Sequence, residues 1–124
     1  MTVRETVLVA GRVCFVVALV GVAWASLEPI DRVPGPTNLS DKLLHLIAYA
    51  TLGVTAALAQ RRPRIIMTIA ALTAFGLLIE ILQGRTGYRS FDLQDLLADA
   101  IGAAFGVLLV ATILEFAERR SPEP

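Results

Sequence analysis

Polar residues divide the chain into four long apolar runs, at residues 7–27, 43–59, 65–82 and 96–116. Each approaches the ~20 residues that cross ~30 Å of hydrocarbon as a helix. Short gaps separate them, punctuated by helix breakers. Pro29, Pro34, Gly35 and Pro36 make the first gap irregular, and Pro63 keeps the second from continuing as helix. Gly84 fits the end of the third helix, and Gly87 loosens the third gap. Ser40 is placed to cap the second helix, with Asp41 in its favourable first turn. This pattern predicts an all-α fold: an integral membrane bundle of four transmembrane helices, one domain over residues 1–124.

Charge adds an orientation. Of the 11 Lys and Arg residues, Arg4, Arg12, Arg61, Arg62, Arg64, Arg119 and Arg120 lie at one set of ends. Arg32, Lys42, Arg85 and Arg89 lie at the other, mixed with acids. Short loops rich in cations stay inside, so both termini are expected in the cytoplasm of a multi-pass cell-membrane protein. Segments 28–42 and 83–95 then face outward. The first run also carries signal-peptide grammar, with Arg4 and Arg12 before an apolar core and small residues around Trp24. Bulky Trp24 suits an interface anchor, and three more spans follow, so the run is read as a retained helix.

Composition agrees with the membrane reading. Hydrophobic residues make up 56% of the chain and charged residues 18%, too apolar for a small water-soluble domain with its high surface-to-volume ratio. Net charge is zero, which speaks against a nucleic-acid binder. Cys14 has no partner for an internal disulfide and reads as a small apolar filler.

Candidate chemistry gathers at the outer ends of three helices. At about 100° per residue, Asp41, Lys42, His45 and Tyr49 share one quadrant of the second helix. Glu80 and Gln83 share a face of the third, extended inward by Thr73 and Gly76. Asp92, Asp95 and Asp99 share a face of the fourth, preceded by Arg89 and continued by a small-residue stripe, Ala98, Gly102 and Gly106, that favours close helix approach. Ionisable residues within spans face the bundle interior and pair there, so the three faces are expected to meet. Plainer roles compete: Asp92 as an N-cap, Asp95 as a first-turn acid, His45 as a hydrogen-bonded structural residue, Tyr49 as a packing aromatic. Glu80 resists such a reading, because a buried carboxylate is costly unless protonated, paired or metal-bound.

The series Asp41-Lys42-x-x-His45, Tyr49, Glu80-x-x-Gln83, Arg89-x-x-Asp92-x-x-Asp95-x-x-x-Asp99 and Gly102-x-x-x-Gly106 resembles the VanZ-like membrane protein family, over about residues 41–110. Asn is common there where this chain has Asp99. The resemblance implies a small helical membrane protein of the cell envelope, in a family whose name is linked to glycopeptide (teicoplanin) resistance; it supplies no reaction.

The leading expectation is a non-enzymatic binding protein whose outward polar site takes a membrane lipid head group, a lipid-linked cell-wall precursor or a membrane protein partner. Lys42 and Arg89 would meet phosphate or carboxylate, oriented by Asp41, Glu80, Asp92 and Asp95. One alternative is a membrane-embedded enzyme, metal-dependent or acid–base, acting on a lipid-linked substrate. No cofactor is required by the leading reading; a divalent metal, Mg²⁺ or Mn²⁺ before Zn²⁺, would find candidate ligands in His45, Glu80, Asp92 and Asp95. A proton-coupled carrier fits poorly, since no polar path crosses the inner halves. An ion-pair cluster that only holds helices together explains the same residues.

Overall fold

The computed structural model describes residues 1–34 and 40–121. Among these residues the chain forms four α-helices, α1 (Val3–Leu27), α2 (Asp41–Leu58), α3 (Ile65–Arg85) and α4 (Leu93–Arg120), plus a 3₁₀ turn at Ile30–Arg32, and no strands. Gly35 and Pro36 lie outside the described residues.

Each apolar run is lengthened by polar end turns. Thr2 and Glu5 form a reciprocal capping box at the start of α1, which satisfies two backbone donors that the helix itself leaves unpaired. Ser40 caps α2 as expected, its hydroxyl accepting from the Leu43 N–H at 3.2 Å. Asp92 caps α4, accepting from the Gln94 N–H at 2.8 Å. Gly84 falls at the end of α3 as expected, in its last turn: the helix runs to Arg85 and is capped at Thr86. Gly84 also gives room for the returning chain, because a Cβ there would lie 3.3 Å from the Phe91 Cβ. Gly87 has φ +82°, a conformation glycine adopts at no steric cost.

α1, α3 and α4 are each long and apolar enough to cross a membrane. α2 is different: its 18 residues open with Asp41, Lys42 and His45, which shorten its apolar stretch. It is the helix most enclosed by protein, packing against α1, α3 and, most extensively, α4. The α2–α4 seam is a backbone contact. A Cβ on Gly53 would sit 2.6 Å from the Ala103 carbonyl oxygen, and one on Gly102 or Gly106 would collide with the carbonyl oxygen of Leu46 or Ala50. Tyr49, Leu52, Ala56, Leu72 and Ala103 form the apolar core beside this seam, with Phe15 and Leu19 of α1 packed on it.

Outside that core the surface is greasy. Val13, Val16, Val17, Val20 and Trp24 of α1 are exposed, as are Ile101, Phe105, Ile113 and Phe116 of α4. Such continuous apolar faces suit lipid rather than water. Cys14 belongs to this exposed surface and fills no core space, a correction to its expected role.

The helices alternate in direction, so two ends differ in chemistry. At one, Arg12 bonds the Ala59 carbonyl and Arg4 the Arg61 carbonyl, beside an arginine-lined cavity of about 980 Å³. At the other, the C-termini of α1 and α3 meet the N-termini of α2 and α4, and there the acids collect.

Candidate functional site

His45 is the hub. It projects from the second turn of α2 into the space between α3 and α4 and is buried. Its Nδ1 lies 2.8 Å from Asp99 Oδ1 and 4.0 Å from Glu80 Oε1. Its Nε2 lies 3.7 Å from Asp95 Oδ2 and 3.9 Å from Asp41 Oδ2. Three helices therefore bring four carboxylates around one imidazole. Glu80 and Asp99 are both 0% exposed. Gly76 makes room for Asp99: a Cβ at position 76 would approach Asp99 Oδ2 to 2.8 Å.

The two sides of the ring differ. Only the Nδ1–Asp99 distance is a hydrogen bond; the others exceed its usual range. With Asp99 ionised, its oxygen can only accept, and Nδ1 would then carry the proton and donate to it. In the neutral ring Nε2 then presents its lone pair towards Asp41 and Asp95.

Glu80 is half used. Its Oε2 accepts from the Asp92 backbone N–H at 2.9 Å, which ties α3 to the start of α4. Among the described residues, Glu80 Oε1, Asp95 Oδ1, Asp99 Oδ2 and the Tyr49 hydroxyl are buried without a hydrogen-bond partner. All four belong to this cluster. Buried polar groups are almost always paired; Asp95 Oδ1 has the Lys42 ammonium 3.6 Å away, and Glu80 Oε1, Asp99 Oδ2 and the Tyr49 hydroxyl leave unused hydrogen-bonding capacity around the histidine. The Tyr49 ring is also a packing element, 6.2 Å from that of Phe75.

The cations stand elsewhere than expected. Lys42 is half-exposed, 3.2 Å from Asp92 Oδ2 and 3.6 Å from Asp95 Oδ1, so two acids do orient it. Among the described residues, Arg89 meets no acid. It donates to the carbonyls of Ala25 at 3.0 Å and Glu28 at 2.9 Å. Gln83 donates to the Ser26 carbonyl at 2.8 Å, and the Tyr88 hydroxyl to that of Leu27. These side chains latch the C-terminus of α1, whose last carbonyls lack helical partners. The expectation that acids would orient Arg89 is corrected accordingly: carbonyls of α1 orient it, through two of its five N–H donors. Ala98 is half-buried beside the seam that Gly102 and Gly106 form.

Asp92 does not reach the histidine cluster. The Gln94 N–H and then Lys42 hold its carboxyl below the ordinary range. Among the described residues, two donor sets have the spacing to hold a metal ion: Asp41, His45 and Asp95, and His45, Glu80 and Asp99. Asp92 belongs to neither, a correction to its place among the metal candidates, because its oxygens cap α4 and meet Lys42.

A cavity of about 550 Å³ opens beside the cluster. Gly21 and Val22 of α1 and Leu44, Ile47 and Ala48 of α2 form an apolar wall; Asp41, His45, Tyr49 and Arg89 stand at its polar end.

Helical periodicity could find Asp41, His45, Glu80, Asp95 and Asp99. It could not find Tyr88 or the α1 carbonyls, because a turn residue has no period and a backbone carbonyl no sequence signature.

In comparison with known proteins, residues 10–114 match the family model described as VanZ/LLP1. No curated protein matches the chain, and no solved structure does.

Proposed function

Because the chain belongs to the VanZ/LLP1 family, we propose that it is a multi-pass cell-membrane protein that binds an amphiphile, with its apolar part against α1 and α2 and its polar end at the His45 cluster. The observation that carries this reading is the cavity of about 550 Å³, apolar along Gly21, Val22, Leu44, Ile47 and Ala48 and polar at Asp41, His45, Tyr49 and Arg89. Binding pockets combine such walls with a few converging polar groups.

The charge of the polar end selects the head group. Asp41, Glu80, Asp95 and Asp99 outnumber the available cations, since Arg89 is engaged by α1 and Lys42 by Asp92. Hydroxyl-rich or amine-bearing heads, such as those of a membrane lipid or a lipid-linked cell-wall precursor, can donate to these carboxylates directly. We favour binding over catalysis because, among the described residues, the side-chain partner of His45 is Asp99 rather than a serine or cysteine nucleophile. In this reading α2 is a fourth span, both termini lie in the cytoplasm and the cluster faces outward, in keeping with the arginines at the opposite end. In a Cys14→Ser background, cysteines introduced at Arg62 and Ser121 should be labelled only in permeabilised cells, and one at Gly87 in intact cells; the reverse pattern inverts the topology. A link to glycopeptide tolerance belongs to the same reading, and unchanged susceptibility on deletion of the gene would count against it.

The test of binding is an inventory of amphiphiles that co-purify with the full chain in mild detergent. Gly21 has nothing within 4 Å of where its Cβ would be, so Gly21→Phe fills the cavity without disturbing the core. The wild type is expected to retain a defined amphiphile that Gly21→Phe loses while keeping its helix content. Identical inventories in the two proteins would overturn the proposal.

A further inference from the structure

The geometry points to a divalent-metal site at His45 Nε2, Asp41 and Asp95, taking a first-row ion of the Mn²⁺ or Zn²⁺ kind, with Asp99 as the residue that positions the histidine. It stands independently of whether the neighbouring cavity holds an amphiphile.

The distances favour coordination over hydrogen bonding. His45 Nε2 lies 3.7 Å from Asp95 Oδ2 and 3.9 Å from Asp41 Oδ2, and the three ligand atoms lie within 4.8 Å of one another. Donors each about 2.1 Å from one tetrahedral ion stand roughly 3.4 Å apart. Closing Nε2 with either carboxylate on an ion therefore takes a few tenths of an ångström.

Asp99 prepares the histidine for that role. Metal-ligating histidines commonly give their other N–H to a carboxylate, which fixes the tautomer and ring orientation. Here Nδ1 is 2.8 Å from the fully buried Asp99. That bond occupies Nδ1, so the inner set with Glu80 and Asp99 does not compete for the ring.

Asp95 supports the site from the buried side. It is 5% exposed, its Oδ1 faces the Lys42 ammonium at 3.6 Å, and its Oδ2 faces His45 Nε2 at 3.7 Å, beyond hydrogen-bond range. An ion between Oδ2 and Nε2 pairs both. One nitrogen and two carboxylates suit borderline ions such as Mn²⁺ and Zn²⁺ better than Ca²⁺, which prefers oxygen alone. Three protein ligands also leave coordination positions open. Asp41 and His45 line the cavity, so those positions face it.

Lys42 makes the site distinguishable from a structural ion-pair cluster. Its ammonium lies 3.6 Å from Asp95 Oδ1 and repels an incoming ion. Lys42→Gln therefore tightens a metal site, whereas it weakens a cluster that merely pairs charges.

The experiment uses the detergent-purified full chain without affinity histidines, stripped by chelator and titrated separately with Mn²⁺ and Zn²⁺. Bound ion is read by elemental analysis and by Mn²⁺ electron paramagnetic resonance. One ion per chain is expected. His45→Gln and Asp95→Asn should abolish it, Asp99→Asn should weaken it by about 10–100-fold, and Lys42→Gln should bind more tightly. Glu115→Gln, which removes an exposed acid paired with Arg119 at the opposite end of α4, should bind as the wild type does. No saturable binding to the folded wild type would overturn the proposal. So would undiminished binding in His45→Gln and Asp95→Asn. Should those two variants fail to fold, weaker or unchanged binding in Lys42→Gln would overturn it.

Discussion

His45 and Asp92 show how differently two neighbouring polar residues are used. His45 is held by buried carboxylates from two other helices. Asp92 sits at the rim, where its backbone N–H serves Glu80 and its side chain serves Gln94 and Lys42. The sign of its pH dependence follows from its lowered pKa, caused first by the Gln94 N–H and then by Lys42. Folding favours the ionised form, so the stabilisation is fully present above the ordinary value of 3.8 and is lost as pH falls through the lowered one. Asp92→Asn keeps an oxygen for the cap but gives up the charge. In acid unfolding followed by circular dichroism, the stability gap between wild type and Asp92→Asn should narrow below the ordinary value; a constant gap would contradict this role. At this scale much was legible beforehand. A carboxylate at position 80 inside an apolar run has few affordable explanations, and the 100° period puts Asp95 and Asp99 on one face. The orientation of Arg89 by α1 carbonyls is not legible in sequence, because a guanidinium is drawn both by carboxylates and by the free carbonyls at a helix end, and sequence does not say which is nearer.

Among the elements, α2 and α4 set the geometry on which the cluster depends. The small-residue stripe was visible in sequence, and the structure shows what it does: Gly102 and Gly106 bring α4 against the backbone of α2 at Leu46 and Ala50. That approach sets Asp95 and Asp99 within reach of His45. Gly106→Leu should force the helices apart, lower the thermal midpoint in detergent by several degrees and lose whatever the cluster binds. Gly21→Ala, at a helix position with open space, should match or slightly exceed wild-type stability, since Ala gains about 1 kcal/mol over Gly in a helix interior. Equal effects from the two substitutions would show that the seam is loosely packed. The four helices could be read from apolar periodicity and length, with boundaries displaced by up to four residues, because polar end-turn residues such as Arg4, Glu5 and Thr6 belong to the helix without being apolar. The part of α1 was hidden. Its carbonyls at Ala25, Ser26 and Leu27 are held by Arg89, Gln83 and Tyr88, contacts across about sixty residues of sequence that no local pattern encodes.

The whole molecule has a basic end and an acidic end joined by an apolar middle. Arginines line one cavity, and the other opens on the histidine and its carboxylates. The account rests on three helices converging on the chain's only histidine, and that single ring allows an unambiguous measurement. In the full chain labelled with ¹⁵N-histidine and free of affinity histidines, imidazole nuclear magnetic resonance reads one residue. The account predicts a proton on Nδ1 that exchanges slowly with solvent and stays hydrogen-bonded near neutral pH, and that becomes labile when Asp99→Leu removes its acceptor. A rapidly exchanging ring with averaged tautomers, or a proton resident on Nε2 with Nδ1 bare, would contradict it.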